Sequence, residues 1–156
     1  MTVRPLEPTG PKIGVLLPDF TVETLTGRTI HRRDFKGRKH LVVCFAQAEV
    51  GAAGQGLAAA IAASYPSWQT ERAETLLIVT APDGIATALT SPPIVIDTDG
   101  QLRARFGVGT EATLFVADRY GEIAFYATGG TATTLQGLPL DGVLPTLELL
   151  EMRCSL

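Results

Sequence analysis

The sequence predicts an α/β domain built on a mixed sheet with helices on both faces. Three observations carry that prediction. "HLVVCFA" and "TLLIVTA" are continuous apolar, β-branched runs, the composition of central strands covered on both faces. Between them, Leu57, Ile61 and Tyr65 or Trp68 recur at helical spacing. Beyond them come further strand-like runs, two joined by a short turn, and a final stretch that reads as a helix.

The elements follow in order. Residues 1–12 are polar and spaced by prolines, an extended lead-in, and 13–156 then form a single domain. "FTVETLTGRTIHRRDF" holds two short alternating runs around Thr26 and Gly27, which predicts a β-hairpin. The core strand occupies 41–46, and a helix runs from 54 to about 71. A second buried strand covers 75–80, and a loop with a short helix over 85–89 leads into "PPIVID", a strand ending at Asp97. "DGQLRARFGV" predicts a short helix closed by Gly107. "TLFVAD" and "EIAFYAT" are two strands joined by a turn at 118–121, and a last helix spans about 140–153. The strands 41–46, 75–80, 94–97, 113–117 and 123–127 are expected in one sheet, with 41–45 buried on both faces.

Composition narrows the function. With 156 residues, 46% hydrophobic and 19% charged, the chain has enough apolar content for one globular core. A net charge of −3 gives no electrostatic reason to expect nucleic acid or an anionic membrane as partner. Arg28, Arg32, Arg33, Lys36, Arg38 and Lys39 do gather, and they read as the solvated face of the hairpin and its turn. Two cysteines, Cys44 and Cys154, cannot build a disulfide scaffold and suit a cytoplasmic protein. "MTVRPLEPTGPKIG" carries prolines where a signal peptide needs an apolar core, and no run approaches the ~20 apolar residues of a membrane span.

Two longer stretches carry a resemblance. "LPDFTVETLTGRTIHRRDFKGRKHLVVCFA" is similar to the opening of the redoxin and alkyl hydroperoxide reductase (peroxiredoxin-like) branch of the thioredoxin-like superfamily. "IVIDTDGQLRARFGVGTEATLFVADRYGEIAFYATGG" resembles that family's second half, with strand, Asp-x-x-Gly helix, Phe-Gly-Val, strand and Asp-x-x-Gly turn in the same order. The resemblance covers about residues 14–130. It implies a thioredoxin-like three-layer sandwich, with a mixed central sheet and an N-terminal β-hairpin.

The resemblance also says where chemistry should sit, and the residues there do not supply it. Members of the family work through a thiolate at the N-terminus of the helix after the core strand, where the helix dipole and free N–H groups lower the cysteine pKa. Aligned on Phe45 in the thioredoxin register, the Cys-x-x-Cys pair falls on Val50 and Ala53, and the preceding tryptophan on Glu49. In the peroxiredoxin register the Pro, Thr and Cys of the peroxide pocket fall on Gln47, Gly51 and Gly54. The cis-proline of thioredoxins and the thiolate-stabilising arginine of peroxiredoxins both fall on Ala112. No cysteine lies between Phe45 and Arg153. Cys44, inside the core strand, reads as a small buried hydrophobe with a raised pKa, and Cys154 as an exposed thiol without a partner.

Other constellations carry less. "GAAGQG" lacks the spacing of a dinucleotide fingerprint and the Lys of a P-loop. Asp97, Thr98, Asp99 and Gly100 read as a strand-to-helix turn and cap, since the glycine comes too early for an EF-hand loop. His31 and His40 have no ligand spacing around them, so neither metal nor cofactor is expected. Two function classes remain. One is a degenerate, non-catalytic redoxin-like protein, binding an unknown protein, peptide or small molecule at the former active-site groove, alone or as a homodimer. The groove candidates are Gln47, Glu49, Val50, Gly51, Ala52, Thr110, Glu111 and Ala112. The other is a thiol-dependent oxidoreductase or antioxidant of the redoxin family acting through an unrecognised site.

Overall fold

The computed structural model describes residues 13–46, 52–80, 92–109, 111–129 and 139–154, with the backbone alone for 52–58 and 154. Alternation of apolar residues around a glycine turn folds the first segment into a hairpin of β1 (Thr21–Glu23) and β2 (Thr29–His31), with Gly27 at φ +85°. The strand stops at His31, short of the expected run to Phe35. The Asp34 carboxylate accepts the His31 N–H at 2.8 Å and turns the chain into a 3-10 helix, Arg32–Phe35. Phe35 is buried beneath that turn.

Five strands form the central sheet in the order β5-β4-β3-β6-β7. These are β3 (His40–Phe45), β4 (Ala73–Val79), β5 (Ile94–Ile96), β6 (Thr113–Ala117) and β7 (Ile123–Thr128). β3, β4 and β5 run parallel, and β6 and β7 are antiparallel additions. The expected strands therefore share one sheet. The hairpin is a separate two-stranded sheet, fastened to the β5 edge by the Thr24–Val95 pairing and by Leu25 N–H donating to Ile94 O at 2.9 Å.

Every residue of β3 is buried, because alternate side chains face two different layers. Val42, Cys44 and Ala46 join Leu77, Val79, Leu114 and Val116 beneath α1 (Ala52–Thr70) and α3 (Val143–Cys154). Ile61 and Trp68 of α1, and Val143, Leu147 and Leu150 of α3, fill that layer. Leu41, Val43 and Phe45 face the other way, against Leu17, Phe20, Ile30, Phe35, Phe115 and Phe106 of α2 (Gln101–Phe106). Two helices, a sheet, and a hairpin with a short helix make three layers, as the sequence predicts. The expected short helix at 85–89 and the lead-in 1–12 lie outside the described residues.

The helix boundaries follow local chemistry. α2 starts after Asp97, whose buried carboxylate accepts the backbone N–H groups of Leu102 and Arg103, both at 3.0 Å. It closes at Gly107, whose φ of +68° is the left-handed conformation that glycine adopts without strain. The last helix begins at Val143, preceded by a 3-10 turn over Leu140–Gly142. Among the described residues no helix is long and apolar enough to cross a membrane.

Candidate functional site

The place to look for chemistry is the C-terminal end of β3, where the strand passes its last buried residues, Phe45 and Ala46, toward the N-terminus of α1. Ala52, Ala53 and Gly54 open α1, so two of the expected cysteine positions do fall in a first helical turn. Gln47, Glu49, Val50, Gly51 and Thr110 lie outside the described residues. Of the facing loop, Ala112 is buried and Glu111 exposed. Ala112 O accepts the Gly129 N–H at 2.8 Å, which ties the loop to the end of β7. Ala112 offers only a methyl group where the resemblance places a proline or an arginine.

A cation does reach this pole, from a residue of the predicted short helix that the sequence does not mark out. Arg103 of α2 is 6% exposed. Its Nη2 donates to Ala46 O at the end of β3, and its Nη1 donates to Gly109 O at 2.5 Å and to Glu111 O at 3.4 Å. The guanidinium lies 5.5 Å from the centre of the Phe45 ring. Burial lowers the Arg103 pKa, and the carboxylate of Asp97 opposes that by favouring the charged form. One guanidinium thus clamps the strand end to the 109–113 loop, but both its terminal nitrogens donate to backbone carbonyls. Among the described residues its buried Nε has no hydrogen-bond partner.

The thiol at this end of the sheet is chemically quiet. Cys44 has no exposed surface, and burial pushes its pKa from 9.0 to about 12, with Arg103 pulling weakly the other way. Its side chain faces the layer beneath α1 and α3. This agrees with the structural role expected of it, and Cys154 has no described side chain. Among the described residues no three His, Cys, Asp or Glu side chains stand where they could hold a metal ion. His31 bonds to Thr21 at 2.9 Å, and His40 bonds to Glu151 at 2.7 Å at the opposite end of β3.

No family model matches the sequence, and no curated protein matches it at the sequence level. The three-dimensional arrangement does find relatives. Peroxidoxin BcpB from Mycobacterium tuberculosis superposes with a TM-score of 0.73 at 19% identity, covering 89% of this chain and 97% of that one. Peroxiredoxin Q from Xanthomonas campestris gives 0.72 at 18% identity, over 90% and 99%. The yeast mitochondrial 1-Cys peroxiredoxin gives 0.74 at 16% identity, over 92% and 78%. The fold is the thioredoxin-like fold of the peroxiredoxins. That likeness, at 19% identity or less in all three, shows the fold and not what the C-terminal end of β3 does. It leaves the chemistry at that end to this chain's own residues.

Proposed function

We propose that the protein is a non-catalytic redoxin-like protein that binds a peptide, partner protein or small molecule in a groove between the turn 49–54 and the loop 110–113. The observation that supports this reading best is the state of Cys44, sealed within β3 with its thiol pushed up to about 12. A thiol that holds its proton at neutral pH and meets no solvent does not attack a peroxide or a disulfide. The next cysteine along the chain is Cys154. Catalysis in a peroxiredoxin fold needs a low-pKa thiolate at the α1 N-terminus, and Val50, Ala53 and Gly54 provide none. What such a pole retains is a helix start with free N–H groups and loops at the C-terminal ends of parallel strands, where α/β folds gather ligand contacts. The same reading takes 13–156 as one domain behind a lead-in, acting in the cytoplasm alone or as a homodimer.

Peroxide consumption and insulin reduction at high protein concentration test the claim. Neither should exceed the buffer rate, for the native chain or for Cys154→Ser. Turnover that disappears in Cys44→Ala or in Cys154→Ser would overturn it. Capture of a partner from lysate, followed by hydrogen-exchange protection mapped onto 49–54 and 110–113, would support the binding half. Protection mapped elsewhere would sink the groove.

A further inference from the structure

The opposite pole of the sheet holds a cavity of about 320 Å³. Because β6 runs antiparallel to β3, Ala117 pairs with Leu41, and the β6–β7 turn therefore stands over the start of β3. The cavity lies between that turn, the segment around Leu17 and the 3-10 helix Arg32–Phe35. Its inner wall is apolar, with Leu17, Phe35 and Leu41 all buried, and its rim carries the exposed Leu16 and Tyr120.

The charge in this cavity opposes that of the chain. Arg32, Arg33, Lys36 and Arg119 line it against two carboxylates, Asp19 and Asp118, while the whole protein carries −3. Asp118 is already engaged, its Oδ1 accepting the N–H groups of Tyr120 at 2.9 Å and Glu122 at 3.0 Å. Arg33 and Lys36 are exposed, as expected for a solvated turn, but Arg32 is partly buried, so the cluster is not uniformly solvated. Arg32 Nη1 donates to Leu17 O, and its guanidinium lies against Gly121. A Cβ at 121 would come within 2.7 Å of Arg32 Nη2, and the φ of +90° disfavours any side chain there. Arg119 has its guanidinium 5.2 Å from the Tyr120 ring centre, and its buried Nε has no partner among the described residues. The walls are braced before any ligand arrives: Leu17 N–H donates to Gly121 O, and Gly37 N–H to Arg119 O, both at 2.8 Å.

We propose that this cavity binds a small organic oxyanion, a carboxylate or phosphate ester carried on an apolar body. Arg32 and Arg119 take the oxyanion, and Phe35 and Leu41 take the body. Guanidinium forks match planar and tetrahedral oxyanions and hold them by charge-assisted hydrogen bonds. The volume sits at the low end of ligand pockets, roughly 300–1,000 Å³, which selects a metabolite-sized ligand over a dinucleotide. The site is independent of the groove at the other pole.

Titration of the labelled protein by NMR with phenyl phosphate, benzoate, inorganic phosphate and phenol tests this. Phenyl phosphate or benzoate should shift the amides of Gly37, Tyr120 and Gly121 saturably. Inorganic phosphate and phenol, each lacking one half of the ligand, should bind about tenfold more weakly or worse. The better of the two aryl anions names the headgroup. Arg119→Gln should weaken binding about tenfold. If that variant melts early, the exposed pair Arg33→Gln and Lys36→Gln should still weaken it in a folded protein. The proposal is overturned if neither aryl anion gives saturable shifts at millimolar concentration, if phenol or inorganic phosphate binds as tightly, or if the shifts fall on residues 102–112.

Discussion

Replacing Arg103 by methionine isolates what the buried guanidinium does. The variant keeps the length of the stem and its packing near Phe45, but removes every donor to Ala46 O, Gly109 O and Glu111 O. Glu111 is exposed, so water replaces the donor to its carbonyl. The carbonyl of Ala46, a residue 1% exposed, keeps no such substitute, whereas Gly109 is exposed and water replaces its donor as well. An orphaned buried acceptor costs about 1–3 kcal/mol, and the lost cation–π contact about 0.5–2. Relief of the guanidinium's own desolvation offsets part of that sum, while Asp97 loses its nearby cation. We expect Arg103→Met to lose about 2–4 kcal/mol, a large share of the roughly 5–15 kcal/mol that a domain holds. Arg103→Lys should recover less than half of it, since one ammonium cannot span carbonyls on two segments. Urea unfolding at unchanged m-value measures the loss, and amide exchange of Val116 against Ala112 and Thr113 shows whether the loosening is local. If Arg103→Met falls within about 0.5 kcal/mol of the native protein, the clamp is not structural and this reasoning fails.

Two further outcomes are expected. Cys44 keeps its proton to about 12 in the folded state but releases it from about 9.0 unfolded, so folding stability should fall as pH rises through that window. The Cys44 contribution to the slope approaches about 1.4 kcal/mol per pH unit, so Cys44→Ala should lose less stability per pH unit than the native protein. Tyr65, whose pKa burial also raises, keeps its own contribution in both. Urea midpoints compared across alkaline pH read the difference, and equal slopes in both proteins would refute it. Tyr65 donates to Glu74 Oε1 at 2.5 Å, the same oxygen that accepts the Thr75 N–H at 2.9 Å, and Glu74 is 5% exposed. Tyr65→Phe should therefore lose about 1–3 kcal/mol, and the loss should shrink in a Glu74→Gln background; strict additivity in that cycle would show the pair uncoupled.

The fold was legible because its signals are local. A run such as "HLVVCFA" has only one comfortable home, a strand covered on both faces, and β3 lies there with all its residues buried. Boundaries shifted where a single side chain intervened, as Asp34 did in ending β2. That no cysteine lies between Phe45 and Arg153 is equally plain in the sequence. Arg103 was not legible. Its partner Ala46 is 57 residues away, and nothing in "QLRARF" distinguishes the buried arginine from the solvated one two positions on. The same holds for His40 and Glu151, 111 residues apart, and for Glu74, a carboxylate inside a fully buried strand. Charged groups in the interior are chosen by tertiary partners, and periodicity does not see those partners.

The placement of Arg103 bears on how this end of the sheet keeps its shape. A guanidinium that served a thiolate would leave donors free to meet negative charge as it develops. Here both terminal nitrogens are committed to carbonyls from β3 and the 109–113 loop, and Asp97, which favours the cation, is itself held by two backbone N–H groups of α2. Strand, helix and loop are thus locked through one residue. Under the binding function proposed above such a lock is of use, because rigidity of the loop lowers the entropy lost on binding.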